Sequence, residues 1–146
     1  RFKYYGCREY GDFYAKAMSV FGKKYLERWK PDLIVPVPLH PRKKRMRGFN
    51  QAAYLAERLS VLTGIPWNEH LVKKIRSTRS QKKLSAIQRR QNLKNAYQVT
   101  EKIPGFSVLV VDDVYTTGST ADAMAMCLLE AGAEKVYFLT ICAGRA

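Results

Sequence analysis

Apolar side chains recur along residues 12–29 (DFYAKAMSVFGKKYLERW) at the three- and four-residue spacing of one helical face. Asp12 opens this stretch and is a residue type that caps helices, so the spacing predicts a helix that begins there. We expect this N-terminal helical segment, within residues 1–30, to cover the protein core. Its predicted core-facing residues are Phe13, Ala17, Val20, Phe21 and Tyr25.

Two further stretches have the same helical periodicity. Residues 51–64 (QAAYLAERLSVLTG) end in Gly64, a residue type that commonly terminates helices. Residues 119–133 (STADAMAMCLLEAGA) begin with Ser119, which we expect to cap the helix, and reach Gly132, which we expect to end it. The pattern therefore predicts a helix with defined ends over each stretch.

Short apolar runs between these helices predict strands. VLVV at 108–111 and KVYFLTIC at 135–142 are almost unbroken, which is typical of parallel strands buried on both faces. DLIVPVP at 32–38 should stop at its prolines because proline cannot donate a ladder hydrogen bond. Weaker strand signals lie at 71–75 and 96–100. This alternation predicts an α/β fold with a mostly parallel central sheet flanked by helices.

Length and composition favour a single domain over residues 1–146. With 146 residues and 47% hydrophobic content, the chain can bury a sizeable core. No apolar run approaches the ~20 residues that cross a bilayer, and no signal peptide opens the chain, so we expect no membrane insertion. Cys7, Cys127 and Cys142 include no CxxC pair, which argues against a zinc site or disulfide framework and favours a cytoplasmic protein.

The net charge of +14 is concentrated in two segments without acidic residues. Residues 42–47 carry five basic side chains and residues 71–100 carry nine, while the other twelve basic residues equal the twelve acids in number. A solvated basic face is the ordinary explanation, but acid-free runs in an otherwise neutral chain also attract polyanions. Residues 76–94, polar and with little periodicity, are predicted to form a flexible basic loop.

The strongest chemical signal is VLVVDDVYTTGST at 108–120, where two acids and a hydroxyl-rich turn follow a buried strand. Ligands of parallel sheets bind beyond the carboxyl ends of the strands, and a glycine before a helix lets backbone amides bind phosphate. Carboxylates instead bind sugar hydroxyls or hydrated Mg²⁺, so one ribose 5-phosphate would satisfy the whole segment. The alternative is a capped helix beside two polar loop residues, although two adjacent acids repel by roughly 1 kcal/mol and folding alone does not require them.

These thirteen residues resemble the signature with which type I phosphoribosyltransferases bind phosphoribosyl pyrophosphate (PRPP) and Mg²⁺. The resemblance implies that Asp112 and Asp113 hold the ribose hydroxyls and serve catalysis, with Mg²⁺ bound mainly through PRPP. Purine-salvaging members usually carry an acid where this chain has Thr116, so purine salvage is not the expected reaction. The implied 5-phosphate site consists of Thr116, Thr117, Gly118, Ser119 and Thr120.

Three blocks occur in the order found in ComF-type competence proteins, a branch of that superfamily associated with DNA uptake. They are VPVPLHPRKKRMRGFNQA, LSAIQRRQNLKNAY and VLVVDDVYTTGST. Members often carry an N-terminal four-cysteine zinc module, which either lies outside this sequence or is not part of the protein. In the superfamily, the loop after the first core strand binds pyrophosphate and a flexible loop covers the site. The corresponding residues are Arg42, Lys43, Arg45 and Arg47 in the first loop, with Arg45 and Arg47 as catalytic candidates, and Lys82, Lys83, Arg89 and Arg90 in the second.

Three functional hypotheses follow from these residues. The first is a Mg²⁺-dependent phosphoribosyltransferase with an unidentified acceptor. The second is a module of natural transformation that binds PRPP or a nucleotide without turnover, together with single-stranded DNA. The third is a DNA-binding protein on a fold that has lost its ligand. The surplus basic charge suits single-stranded DNA as a partner, with Tyr97, Phe49 and Tyr115 as candidate stacking surfaces.

Overall fold

The structure, a computed structural model, describes residues 8–47, 50–76, 85, 87–88, 92, 95–115 and 118–143. The helices in these residues are α1 (Arg8–Phe21), α2 (Lys23–Trp29), α3 (Pro41–Arg47), α4 (Gln51–Thr63) and α5 (Ser119–Glu130). The strands are β1 (Leu33–Pro36), β2 (Val72–Lys74), β3 (Tyr97–Val99), β4 (Ser107–Tyr115) and β5 (Lys135–Ala143). No helix in these ranges has both the length and the apolar character needed to cross a bilayer. The alternation of helices and strands confirms the α/β class.

A parallel sheet lies at the centre of the fold, with β4 between β1 and β5. β1 ends at Pro36, as its prolines predict, and Pro36 pairs with Val111. Val111 pairs in turn with Leu139, so the carboxyl ends of three strands meet at one edge. Trp67 adds an isolated parallel bridge to Ile34 on the outer side of β1. The parallel central sheet predicted from the apolar runs is therefore confirmed.

β2 and β3 form a separate antiparallel hairpin, in which Lys74 lies opposite Tyr97. The sequence predicts both strands but not their pairing in a sheet of their own. The hairpin flanks the predicted flexible loop, residues 76–94, most of which lies outside the described residues. The pairing of Lys74 with Tyr97 consequently places the start and the end of that segment next to each other.

The central sheet separates two hydrophobic cores because successive strand residues point to opposite faces. In the first core, Ile34, Leu109 and Val111 pack with α1, α2 and α4. In the second core, Val108 and Val110 pack with α5 and the β2–β3 hairpin. All five of these strand residues are fully buried. Strand β4 therefore contributes side chains to both cores.

The N-terminal helical segment consists of two helices rather than one, and its predicted core face is wrong. α1 begins at Arg8, before the predicted cap, and Gly22 separates it from α2. Ala15 and Met18 are the buried side chains of α1. Among the predicted core residues, those that are exposed instead are Phe13 (66%), Val20 (59%), Phe21 (83%) and Tyr25 (40%).

A polar contact between α1 and α4 explains this orientation. Asp12 does not cap a helix: its Oδ1 accepts a hydrogen bond from the Tyr54 hydroxyl at 2.7 Å and lies 3.0 Å from Arg58 Nε. These contacts turn the Asp12 side of α1 toward α4, and Ala15 follows on the same side at helical spacing. The small side chain of Ala15 allows α1 and α4 to pack closely. A search for hydrophobic periodicity favours large apolar residues and does not detect this effect.

The basic segment after β1, predicted as a loop, contains the helix α3. Pro41 occupies its first position, where proline costs no helical hydrogen bond. His40 Nδ1 accepts a hydrogen bond from the Arg42 N–H at 3.2 Å, and the His40 carbonyl accepts one from the Lys44 N–H at 3.1 Å. These local contacts order the segment in spite of its like charges.

The predicted helix over residues 51–64 is confirmed and is held at both ends. Asn50 Oδ1 accepts hydrogen bonds from the N–H groups of Ala52 at 2.9 Å and Ala53 at 3.3 Å. The amide of the same side chain donates to the Val37 carbonyl at 3.2 Å. Gly64 ends the helix in the left-handed conformation, with φ of 78°. Asn50 thus fixes α4 against the chain that leaves β1.

Asn50→Ala should lower the free energy of unfolding by about 2 kcal/mol, because it removes a helix cap and the donor to the Val37 carbonyl. Chemical denaturation followed by circular dichroism measures the change. Gln98→Ala, at an exposed position on β3, is the control and should stay within about 0.5 kcal/mol of wild type. An equally small change for Asn50→Ala would contradict the cap.

Candidate functional site

Asp112 and Asp113 lie within β4, near its carboxyl end, rather than in a turn after it. β4 continues to Tyr115 because β5 is equally long and pairs with it as far as Ala143. Both acids are half-buried, and Asp112 pairs with Thr140. The expectation that the acids leave the strand is therefore wrong, although they do lie at the carboxyl edge of the sheet.

The two carboxylates belong to opposite faces of β4, because strand residues alternate. Asp112 continues the face of Val110, which points to the second core, and Asp113 continues the face of Val111, which points to the first. The Asp113 N–H donates to Asp112 Oδ1 at 2.8 Å, so the Asp112 carboxylate lies against the backbone of the next residue. A ligand in contact with both carboxylates would lie across the end of β4.

Gly118 occupies the cap position of α5 with a left-handed backbone, at φ of 81°. The chain must turn sharply between β4 and α5, and residues other than glycine rarely adopt this conformation. Ser119, predicted as the cap, therefore occupies the first position of the helix, and the cap residue is Gly118, which has no side chain to bond with. The Gly118 carbonyl accepts a hydrogen bond from the Asp122 N–H at 2.8 Å. The positive end of a 12-residue helix consequently faces the carboxyl edge of the sheet.

Tyr97, on the β2–β3 hairpin, contacts the start of α5. Its side chain is 6% exposed and forms a hydrogen bond with the Thr120 side chain. Burial raises the pKa of Tyr97 to about 12; the Thr120 hydrogen bond opposes this shift and the nearby Asp112 carboxylate reinforces it. Tyr97 is a packing residue, the role expected of each candidate aromatic by itself, and its buried ring is not the candidate stacking surface. Phe49 and the side chain of Tyr115 lie outside the described part of the structure.

A basic cleft of about 700 Å³ opens beyond the end of β1, between α3 and the β2–β3 hairpin. Lys44 and Arg45 line it from α3, and Lys73 and Lys74 line it from β2. The Glu69 carboxylate lies 3.7 Å from Lys44 Nζ, at the same cleft. Four cations with one nearby acid make this cleft suitable for a polyanion.

The structure brings part of the predicted site together. Asp112, Asp113, Gly118, Ser119 and Thr120 meet where β4 ends and α5 begins. Arg45 lines the basic cleft, and Arg42 is exposed elsewhere on α3. Among the described residues, no group of three or more His, Cys, Asp or Glu is placed to hold a metal ion. The predicted residues that lie outside the description are Thr116, Thr117, Lys82, Lys83, Arg89 and Arg90, together with the side chains of Lys43 and Arg47.

Sequence reasoning did not select the residues that the hairpin contributes. Lys73 and Lys74 are part of a basic run, and nothing in that run separates them from its other members. The sequence offers Tyr97 only as a candidate stacking surface for single-stranded DNA, not as a partner of Thr120. The informative signal is the register, which places Lys74 opposite Tyr97, and register follows only from tertiary pairing.

The comparison with known families decides the class of the protein. The family described as "Phosphoribosyl transferase domain" matches residues 8–146. This match covers α1 to β5, including the acids and Gly118. The chain belongs to the phosphoribosyltransferase family, in its ComF-type branch. The resemblance carried by the three sequence blocks is therefore confirmed.

Relatives and solved structures agree with this family assignment. The chain is 41% identical over 112 residues to the DNA utilization protein YhgH of Salmonella typhi, covering 77% of this chain and 49% of that protein. It is 41% identical over 109 residues to competence protein F of Haemophilus influenzae, covering 73% and 48%. The chain spans about half the length of these curated relatives. The purine phosphoribosyltransferase of Pyrococcus horikoshii Ot3 shares the fold, with a TM-score of 0.54 and 18% identity; the match covers 88% of this chain and 69% of that one.

Stability should decline more steeply for wild type than for Tyr97→Phe as the pH rises from about 10 to 12. The pKa of Tyr97 is about 12 in the folded state and about 10 in the unfolded chain. The contribution of the neutral Tyr97 to the free energy of unfolding is therefore complete below about pH 10 and is lost as the pH rises toward 12. The extra slope should approach about 1.4 kcal/mol per pH unit. Urea denaturation across this range measures it, with Tyr137→Phe as the control. Parallel curves for wild type and Tyr97→Phe would contradict the assigned burial.

Proposed function

We propose that the chain is a Mg²⁺-dependent, PRPP-binding protein of the phosphoribosyltransferase type that acts in DNA uptake. The observation that carries the proposal is the meeting of two half-buried carboxylates with the glycine-started α5 at one edge of the sheet. Anion-binding and hydroxyl-binding groups thus occupy neighbouring positions. A phosphorylated sugar is the simplest ligand that needs both.

The 5-phosphate would bind at the start of α5. Backbone N–H groups at a helix N-terminus have no helical partner and carry partial positive charge. Gly118 has no side chain to obstruct an approaching phosphate, and the Ser119 and Thr120 hydroxyls lie in the first positions of the helix. Thr116 and Thr117 complete this predicted subsite.

The ribose hydroxyls would bind Asp112 and Asp113, because charged carboxylates repel phosphate and accept hydrogen bonds from alcohols. The position of the two subsites supports one ligand, because only a few residues separate the acids near the end of β4 from the start of α5.

The pyrophosphate of PRPP would occupy the basic cleft. Lys44, Arg45, Lys73 and Lys74 would neutralise the charge that develops as pyrophosphate leaves an oxocarbenium-like centre. Arg45, with Arg47, is the catalytic candidate among these cations. Arg42 and Lys43 belong to the same proposed anion surface, and Lys82, Lys83, Arg89 and Arg90 are proposed to cover the ligand.

The residues present fit a magnesium ion that arrives with its ligand. Mg²⁺ commonly binds through one or two carboxylates together with substrate phosphates and water, and Asp112 and Asp113 offer two carboxylates beside the proposed phosphates. When bound, Mg²⁺ would supply Lewis-acid stabilisation of the leaving pyrophosphate. The chain's own side chains would orient the sugar and exclude water.

The proposal has two forms: the protein either transfers the phosphoribosyl group of PRPP to an acceptor or binds PRPP without a reaction. Thr116 stands where purine-salvaging members usually carry an acid, which argues against a purine acceptor. The net charge of +14 and relatives named for competence and DNA utilization favour a second candidate, a PRPP-responsive module that binds single-stranded DNA. A pyrophosphate-release assay over a panel of nucleobases separates the two: release with one base supports the transferase, and binding without release supports the module.

Asp112→Asn and Asp113→Asn should each weaken PRPP binding by about 10- to 100-fold, because a charge-assisted hydrogen bond to a sugar hydroxyl contributes about 1.5–3 kcal/mol. Isothermal titration with PRPP and Mg²⁺ measures the dissociation constants. Glu134→Gln removes one exposed carboxylate before β5, at the opposite edge of the sheet, and should leave the affinity unchanged. Wild-type affinity in both Asn variants would refute the ribose assignment.

The double variant Lys44→Ala with Arg45→Ala should weaken pyrophosphate binding by at least about tenfold, because it removes two of four cations from the basic cleft. Ribose 5-phosphate, which lacks the pyrophosphate group, should bind with nearly wild-type affinity. Arg28→Ala with Lys24→Ala, on α2, removes the same charge far from the cleft and serves as the control. Equal losses for both double variants would indicate a general charge effect and contradict the proposed subsite.

A further inference from the structure

Tyr97 is a buried polar side chain at the candidate site that the family signature does not include. It belongs to β3, whereas the signature residues belong to β4 and α5. Its hydroxyl is used in a hydrogen bond with the Thr120 side chain, and its ring is packed within the second core. The hydrogen bond of this hydroxyl either only stabilises the fold or also supports the ligand subsite.

The surroundings of Tyr97 hold it in a fixed position. Its carbonyl accepts a hydrogen bond from Cys127 Sγ at 3.9 Å, which joins β3 to the middle of α5. Lys74 Nζ lies 5.7 Å from the centre of the ring, on the side of the basic cleft. A side chain held by its backbone, its ring and its hydroxyl keeps one orientation, which is what a supporting residue requires.

Thr120 is the partner whose orientation matters for a ligand. It is the second residue of α5, at the end of the helix that faces Asp112 and Gly118. A threonine side chain in a helix divides between two rotamers because its hydroxyl can also bond to the preceding turn. A hydrogen bond from outside the helix selects one rotamer and thereby fixes where the hydroxyl can meet a phosphate oxygen.

We propose that Tyr97 is a positioning residue for the sugar-phosphate subsite: it sets the orientation of the Thr120 hydroxyl. This inference rests on the proposed function, because it assigns the support to the subsite in which ribose 5-phosphate would bind. Tyr97 does not touch the ligand. It acts through Thr120, and the β2–β3 hairpin thereby contributes to a site that the β4–α5 segment otherwise forms alone.

The test compares Tyr97→Phe, Thr120→Val and the double variant in titrations with ribose 5-phosphate and, separately, with pyrophosphate, both in the presence of Mg²⁺. Each single change removes one of the two bonded hydroxyls and keeps the shape of the side chain. Tyr137→Phe on β5, whose ring stacks on Trp29 on the other side of the sheet, is the matched control. Thr120→Val removes the bond together with the hydroxyl that would meet the phosphate, so it sets the largest loss that Tyr97→Phe can cause through Thr120.

We expect Tyr97→Phe to weaken ribose 5-phosphate binding by about 5- to 10-fold and to leave pyrophosphate binding within twofold. Thr120→Val should lose at least as much, and the double variant should lose no more than Thr120→Val, because the two hydroxyls act as one unit. A purely structural bond would not change one ligand and spare the other.

Each other outcome overturns a defined part of the account. Wild-type affinity in Tyr97→Phe, losses that multiply in the double variant, or equal losses for both ligands would overturn the positioning role and leave the proposed function in place. Failure of the wild-type protein to bind ribose 5-phosphate would overturn the proposed function, and the role of Tyr97 with it.

Discussion

The parallel pairing of β4 with β1 and β5 is the constraint on which the rest of this structure depends. It buries β4 between two cores and brings the carboxyl ends of three strands to one edge. The two acids, the start of α5 and the basic cleft all lie at that edge because they follow, or belong to, the ends of these strands. A ligand site at this position is thus a consequence of strand direction, as in other parallel sheets.

The division of charge along that edge matches the two kinds of polar group on the proposed ligand. The start of α5 and the basic cleft favour anions, while Asp112 and Asp113 favour hydroxyls and cations. Asp112 and Asp113 approach the edge from opposite faces of β4, so the hydroxyl subsite lies across the end of the strand. Folding does not require this arrangement, because two adjacent carboxylates repel each other.

The sequence predicts the elements that depend on local chemistry. Gly64 ends α4 where expected, and β1 stops at Pro36, because backbone conformation at these residues is decided by the residue itself. The site segment was also recognisable, because its acids and glycine occur at a spacing that few other segments have. Local signals are therefore sufficient for the five strands, for α4 and α5, and for the segment that carries the acids and Gly118.

Apart from α3, which local contacts order, the main errors concern features that depend on packing between distant segments. The exposed face of α1 carries Phe13 and Phe21, since Asp12 pairs with α4 and turns Ala15 inward. Ser119 is not a cap, because the turn out of β4 needs glycine one residue earlier. Tyr97 reaches Thr120 only through the pairing of β2 with β3 and the packing of that hairpin on α5. None of these contacts has a signature within a single segment.

The most direct test of the account is a crystal structure of the protein with PRPP and Mg²⁺. The account predicts the 5-phosphate within hydrogen-bonding distance of the backbone amides at Gly118 and Ser119, and the ribose hydroxyls on the carboxylates of Asp112 and Asp113. Pyrophosphate density should lie in the cleft beside Lys44 and Arg45. An ordered ligand bound elsewhere, or with its sugar turned away from both acids, would contradict the account.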